Sequence, residues 1–180
     1  MSDIRSSLDP QVAAAFYGTF SGLRPVQVAA IEPLLNGRNV VLSSGTGSGK
    51  TEAVIAPLLS CFWLDALRDE QTVMLYIAPT KALINDLAKR IEAALQSLSL
   101  RVGIRHGDQN DLNVIAKPHV LITTPESLNV MLRRKELVLT QIRCVVIDEI
   151  HQLFNTQRGL HLAILLWRLK KFAGRPIQWA

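Results

Sequence analysis

Two stretches of this sequence carry side chains whose types and spacing suit phosphate chemistry. The first is Ser44-Gly45-Thr46-Gly47-Ser48-Gly49-Lys50-Thr51. Gly45, Gly47 and Gly49 tolerate positive φ, so backbone N–H groups there can converge on phosphate oxygens. Lys50 can reach the terminal phosphates of a nucleotide, and the Thr51 hydroxyl can ligate Mg²⁺. Ser44 stands where the G-x-x-x-x-G-K-[ST] pattern has its first glycine. A Gly/Ser-rich surface turn is the plainer reading, but a turn has no need of Lys-Thr at that offset. The run from Ser44 to Thr51 is therefore read as a nucleotide site. The second stretch is Asp148-Glu149-Ile150-His151. Asp148 can hold Mg²⁺ through water, and Glu149 can orient and deprotonate an attacking water. Alone, the acid pair could be an ordinary solvated turn; beside a phosphate loop it supplies what a Mg·ATP site still needs. Lys50, Asp148 and Glu149 are the candidate catalytic residues, and Thr51 and Asp148 the candidate metal ligands.

These groups cooperate only if the chain brings them to one place. The glycine loop follows the apolar run Asn39-Val40-Val41-Leu42-Ser43 and precedes a helix-compatible stretch. The order is strand, loop, helix, with the positive helix end facing the same anion. Asp148 directly follows the apolar run Val145-Val146-Ile147. Strands are predicted at roughly 39–43, 73–78, 101–105, 119–123 and 143–148, and helices at about 50–66, 81–97, 125–134 and 160–172. Asp9-Pro10 reads as N-cap and first residue of a helix through about Tyr17, and another runs from about Pro25 to Leu35, stopping near Asn36-Gly37. The clearest helical period is Ile84, Leu87, Ile91, Leu95 and Leu98, with Asp86, Lys89, Arg90 and Glu92 on other faces. Alternating strands and helices predict a parallel sheet covered on both sides. In such sheets ligands bind outside the carboxyl ends of the strands, so the motifs collect on one rim.

A chain of 180 residues, 48% hydrophobic, can bury one core and is not disordered. The longest apolar runs, such as 162–167, fall far short of the ~18 residues that a membrane span needs. Residues 1–7 lack an apolar secretion segment. Cys61 and Cys144 read as small core residues of a reducing compartment, and the four histidines show no metal spacing. The expected location is the cytoplasm, with no membrane partner. Residues 1–151 hold 15 basic and 15 acidic side chains, so the net charge of +5 comes entirely from Arg158, Arg168, Lys170, Lys171 and Arg175. A basic patch for nucleic acid is one reading. For Arg168, Lys170 and Lys171, complementing the negative end of the last helix is the simpler one, and Arg158 stays open between the two.

With these motifs placed, the chain resembles the superfamily 2 DExH/DEAD-box ATP-dependent helicases. Residues 44–51 and 148–151 are similar to their motifs I and II. Leu23-Arg24-Pro25-Val26-Gln27, with Phe20 seven residues before the glutamine, resembles the adenine-reading glutamine motif. Ala78-Pro79-Thr80-Lys81-Ala82-Leu83 is similar to motif Ia and Thr123-Thr124-Pro125-Glu126-Ser127-Leu128 to motif Ib, while His106-Gly107-Asp108 sits where the family often has a glycine loop near nucleic acid. Arg158-Gly159-Leu160-His161-Leu162-Ala163 after motif II, and residues 8–20 before the glutamine, look most like the large helicase-related (Lhr) group.

The resemblance implies an α/β, RecA-like P-loop NTPase domain spanning residues 1–180, with 1–38 a helical glutamine-motif region. It implies ATP and Mg²⁺ as ligands, Gln27 and Phe20 as adenine contacts, and His151 as a coupling residue. It places Pro79, Thr80, Lys81, Gly107, Thr124, Pro125 and Glu126 against a DNA or RNA backbone, with Lhr-like features tilting the substrate toward DNA. The bland alternatives stay open: Gln27 as a surface helix residue, each threonine as a plain helix cap, His151 as an ordinary strand-end histidine.

The sequence departs from the family in stopping 29 residues after His151, before any Ser-Ala-Thr motif or second RecA-like domain. The expectation is a truncated first motor domain that binds Mg·ATP, hydrolyses it very slowly and does not unwind a duplex alone. A trans-acting arginine is worth about 10³–10⁵ in rate for related enzymes. The competing class is a nucleotide-dependent binding module for nucleic acid or protein, without useful hydrolysis. A small P-loop kinase lacks a substrate lid, and an ABC-type ATPase lacks its Ser-Gly-Gly-Gln signature.

Overall fold

A computed structural model describes residues 4–45, 47–107, 109–113, 116–153 and 155–180. Strands β1 (Met74–Ile77), β2 (Val102–His106), β3 (Gln109–Asn110), β4 (Val120–Thr123), β5 (Cys144–Ile147) and β6 (Gln178–Trp179) form one sheet in the order β3-β2-β4-β1-β5-β6. Every pairing is parallel except the short antiparallel β2–β3 ribbon. The helices are α1 (Pro10–Tyr17), α2 (Pro25–Leu35), α3 (Lys50–Asp69), α4 (Lys81–Ser97), α5 (Pro125–Arg133), α6 (Ile150–Leu153) and α7 (Gln157–Ala173).

Alternation along each strand divides the interior into two layers. Met74 and Tyr76 of β1, Val120 and Ile122 of β4, and Cys144 and Val146 of β5 pack in a core built with α1–α4. Leu75, Ile77, Leu121 and Val145 point the other way, into a core shared with α5 and α7. The continuous apolar strands follow from this two-sided burial. The five-residue period of α4 is buried throughout. Asp9 caps α1 as expected, its Oδ1 accepting from the backbone N–H of Gln11 at 2.9 Å and Val12 at 3.3 Å. Gly37, at φ 72°, takes the left-handed turn that ends α2. Among the described residues no helix is long and apolar enough to cross a membrane.

Three expectations are corrected. The predicted strand at 39–43 is not part of the sheet. Its hold on the sheet is Val40 N–H donating to Trp179 O at 3.0 Å and Asn39 Oδ1 accepting from Trp179 N–H at 2.9 Å. Beside a neighbour as short as β6 it cannot build a ladder, and Val41 is 86% exposed. Cys61 is exposed, because α3 turns that side to solvent, whereas Cys144 is buried as expected. Helix α7 starts at Gln157 rather than about 160, because the Thr156 hydroxyl accepts from Gly159 N–H at 3.0 Å and caps it there.

Candidate functional site

The glycine loop leads straight into α3, with Gly49 at φ 86° as its N-cap and Gly47 at φ 69°. A side chain at Gly49 is excluded twice over, since an added Cβ would lie 2.6 Å from Gln27 Nε2. The Ser44 and Ser48 hydroxyls meet at 2.7 Å and close the loop. The Lys50 ammonium donates to the carbonyls of Ser44 at 2.7 Å and Gly45 at 2.9 Å, which holds its charge inside the curl. Thr46 lies outside the described residues.

The acid pair stands at the carboxyl end of β5. Asp148 N–H donates to Ile77 O at 2.9 Å, locking the turn onto β1. Asp148 Oδ1 accepts from Glu149 N–H, and Asp148 Oδ2 accepts from the Tyr76 hydroxyl, both at 2.9 Å. Burial first, and then the Asp148 carboxylate, push the Tyr76 hydroxyl well above its ordinary pKa, so Tyr76 is a fixed donor here. Glu149 takes φ 51°, an unusual conformation for a residue with a Cβ, between the strand and α6. His151 is 75% exposed, and its Nε2 lies 3.2 Å from Glu149 Oε2.

These two groups of residues face one space. A cavity of about 470 Å³ is lined by Ser44, Gly45, Lys50 and Thr51 from the loop side and by Asp148, Glu149 and His151 from the strand side. A second hollow continues from Gly47, Ser48 and Lys50 to Gln27 and Phe20. Phe20 is 40% exposed there, tilted against Tyr17 at 6.2 Å between ring centroids. Gln27 is only 1% exposed; its Oε1 accepts from Arg24 N–H at 2.9 Å, the reciprocal half of a cap at the start of α2. For a divalent cation the donors are the Thr51 hydroxyl and the Asp148 carboxylate. Two oxygens on a shared cavity fit Mg²⁺, which keeps waters and phosphate oxygens as its other ligands. Among the described residues no cluster of three His, Cys, Asp or Glu offers a protein-only cage.

Three further side chains join this cleft that sequence reasoning gave no role. Arg24 donates its guanidinium to Gly47 O, tying α2 to the loop. Arg90 of α4 donates to Thr51 Oγ1 at 2.6 Å. Tyr76 carries the hydroxyl that fixes Asp148. The available signals were a lone hydroxyl in the apolar strand Met74-Leu75-Tyr76-Ile77 and an arginine just before Pro25. Arg90 looked like one more charge on a solvated helix face.

The motifs expected to meet nucleic acid lie at neighbouring strand ends. The Thr80 hydroxyl caps α4, accepting from Leu83 N–H at 3.3 Å, and that of Thr124 caps α5, accepting from Ser127 N–H at 3.2 Å. Both threonines are thus helix caps, and Thr124 is buried while Thr80 is exposed. Arg158, left open by the sequence, bridges the two motifs: it donates to Pro79 O at 3.0 Å and to Glu126 Oε1 at 2.8 Å. Burial raises the Glu126 carboxyl, but its own backbone N–H and the Arg158 guanidinium outweigh that and leave it below the usual range. Pro125 opens α5 beside Glu126. Lys81 Nζ approaches Gly107, lying 3.9 Å from where a Cβ would stand. Asp108 lies outside the described residues. Arg168 bonds to Asn129 Oδ1 at 3.2 Å, whereas Lys170 and Lys171 occupy the last turn of α7 as the helix-end reading expects.

Known proteins are similar to this chain in sequence and fold. The chain is 35% identical over 192 residues to the ATP-dependent helicase Lhr-Core of Methanothermobacter thermautotrophicus, covering 96% of this chain and 22% of the relative. It is 32% identical to the Lhr helicase/uracil glycosylase of Escherichia coli K12, covering 91% of this chain and 12% of that protein. It therefore spans about a fifth or less of the length of these relatives. The structure of the Mycobacterium smegmatis helicase Lhr bound to ssDNA and AMP-PNP superposes with a TM-score of 0.81 at 34% identity, covering 99% of this chain and 25% of that one. The DEAD-box helicase Mss116 bound to ssRNA and UDP-BeF shares the fold alone, with a TM-score of 0.83 at 21% identity and coverage of 96% and 38%. Residues 24–178 match the DEAD/DEAH box helicase family, and on that match the chain belongs to this family.

Proposed function

We propose that residues 1–180 form the first, RecA-like ATP-binding domain of an ATP-dependent nucleic-acid helicase. The observation that carries this reading is the single cavity lined from one side by Lys50 and Thr51 and from the other by Asp148 and Glu149. In this proposal the loop amides and the Lys50 ammonium bind the phosphates, and Lys50 leaves the Ser44 and Gly45 carbonyls to do so. Phe20 and Gln27 bind the adenine end. Thr51 and Asp148 would hold Mg²⁺, which when bound neutralises charge on the phosphate oxygens. Glu149 orients a water and takes its proton on a carboxylate oxygen, with His151 on Oε2 steering that carboxylate. Phosphoryl transfer asks little covalent work of a protein, so positioning and charge neutralisation dominate.

Pro79, Thr80, Lys81, Gly107, Thr124, Pro125 and Glu126 are proposed to line the track of a nucleic-acid backbone, without reading bases. DNA is the favoured substrate, because the relative with 34% identity was captured on ssDNA. Hydrolysis at a useful rate and unwinding are proposed to need a second RecA-like domain, in cis or in trans. The test is calorimetric ATP binding by the wild-type chain and two variants. Glu149→Gln should bind normally and lose residual hydrolysis, while Lys50→Ala should lose binding. Unchanged ATP affinity in Lys50→Ala would overturn the site assignment.

A further inference from the structure

Two long-range hydrogen bonds hold the side chains proposed as cation ligands. The Arg90 guanidinium on α4 donates to Thr51 Oγ1 at 2.6 Å. Tyr76 of β1 donates its hydroxyl proton to Asp148 Oδ2 at 2.9 Å. Each hydroxyl has one proton and two lone pairs. With Arg90 able only to donate and the Asp148 carboxylate only to accept, the direction of both bonds is set. The proton of Tyr76 points to Asp148. One Thr51 lone pair is taken by Arg90, and the second stays available. On the carboxylate, Oδ2 is held by Tyr76 while Oδ1 is held by Glu149 N–H. Both oxygen ligands proposed for the cation are thus oriented before it arrives.

Resting on the nucleotide reading above, we propose that Arg90 and Tyr76 are positioning residues for the cation: they fix the Thr51 hydroxyl and the Asp148 carboxylate in the orientation that Mg²⁺ requires. The charged donor on Thr51 and the charged acceptor of the Tyr76 proton make both bonds charge-assisted and strong. Partners of this kind set the orientation of metal ligands, and losing one typically costs about 10–100-fold in metal affinity. Arg90 is also held by Asp86 one turn earlier on α4, at 3.7 Å, so its guanidinium approaches Thr51 from a supported position.

The experiment is calorimetric ATP binding to the full 180-residue chain as Mg²⁺ is raised from an EDTA baseline, for wild type, Tyr76→Phe, Arg90→Gln and Arg90→Lys. In the wild type, Mg²⁺ should strengthen ATP binding. In Tyr76→Phe and Arg90→Gln the Mg²⁺ concentration for half of that effect should rise about ten-fold, with metal-free ATP affinity unchanged. Arg90→Lys, which keeps a charged donor, should recover part of the loss. If both variants titrate like the wild type, the proposal is overturned while the nucleotide site stands. A wild type with no Mg²⁺-dependent binding would instead sink the nucleotide reading itself and this proposal with it. Should Tyr76→Phe fail to fold, Arg90→Gln decides alone, because that side chain is half exposed and its loss leaves the core intact.

Discussion

The proposed nucleotide cleft and the proposed nucleic-acid rim are built from similar residue types, yet they use their hydrogen bonds in opposite ways. In the cleft, polar groups reach across the fold: Tyr76 to Asp148 over 72 positions, Arg90 to Thr51 over 39, Arg24 to Gly47 over 23. At the rim, the Thr80 and Thr124 hydroxyls turn back on their own helices, three residues on. Arg158 ties one motif there to another. A site wired between distant elements has a fixed shape and is sensitive to single atoms. A row of capped helix ends offers diffuse positive potential and tolerates change at any one position.

The sharpest way to break this contrast is Lys50→Ala. Removing the phosphate counter-charge should cost about 3 kcal/mol of ATP affinity, roughly 100-fold, read by calorimetry; a loss under about three-fold, below 1 kcal/mol, would place the cleft in the same tolerant class as the rim. Next is Gly49→Ala, which forces a Cβ onto Gln27 Nε2 at a left-handed φ. It should destabilise the domain by about 2 kcal/mol, lowering Tm by roughly 4–8 °C, where Gly45→Ala, with open space around it, should not.

For the rim, Lys81→Ala should weaken binding of a poly-dT oligonucleotide modestly and reduce the magnitude of its log–log salt slope by about 0.7, the value for one phosphate on a single strand. An unchanged slope would remove Lys81 from the track. The smallest effect concerns Glu126. Its pKa is lower in the folded state, so its contribution is full above the ordinary glutamate range and is lost as pH falls through the lowered value. The pair with Arg158 is largely exposed, so this is worth well under about 1 kcal/mol. Arg158→Ala should therefore flatten the acid limb of a Tm-against-pH curve slightly. A strong flattening would mean that the rim is wired like the cleft.

Much of this architecture was legible from periodicity and glycine placement. Ile84, Leu87, Ile91 and Leu95 spell out α4, and Val145-Val146-Ile147 spells out a strand buried on both faces. The loop at 44–51 and the acids at 148–149 were readable because their chemistry demands fixed offsets along the chain. The misjudged segment, 39–43, has strand-like residues, but strand formation is decided by neighbours, and β6 offers it only two residues. Arg24, Tyr76 and Arg90 escaped for a related reason. Each acts on a partner 23 or more positions away, and nothing in local spacing announces a contact made only by the fold. Arg158 shows the same limit: its charge was visible, its partners Pro79 and Glu126 were not.

The account rests on Thr51 and Asp148 serving one magnesium-bound triphosphate, and the direct measurement is ATP affinity with and without Mg²⁺ in wild type and Asp148→Asn. The result expected is that Mg²⁺ strengthens ATP binding to the wild type and has no effect on Asp148→Asn, while metal-free affinity is the same in both. If Asp148→Asn retains the full strengthening by Mg²⁺, the acids of β5 do not share a site with the glycine loop, and the account is wrong.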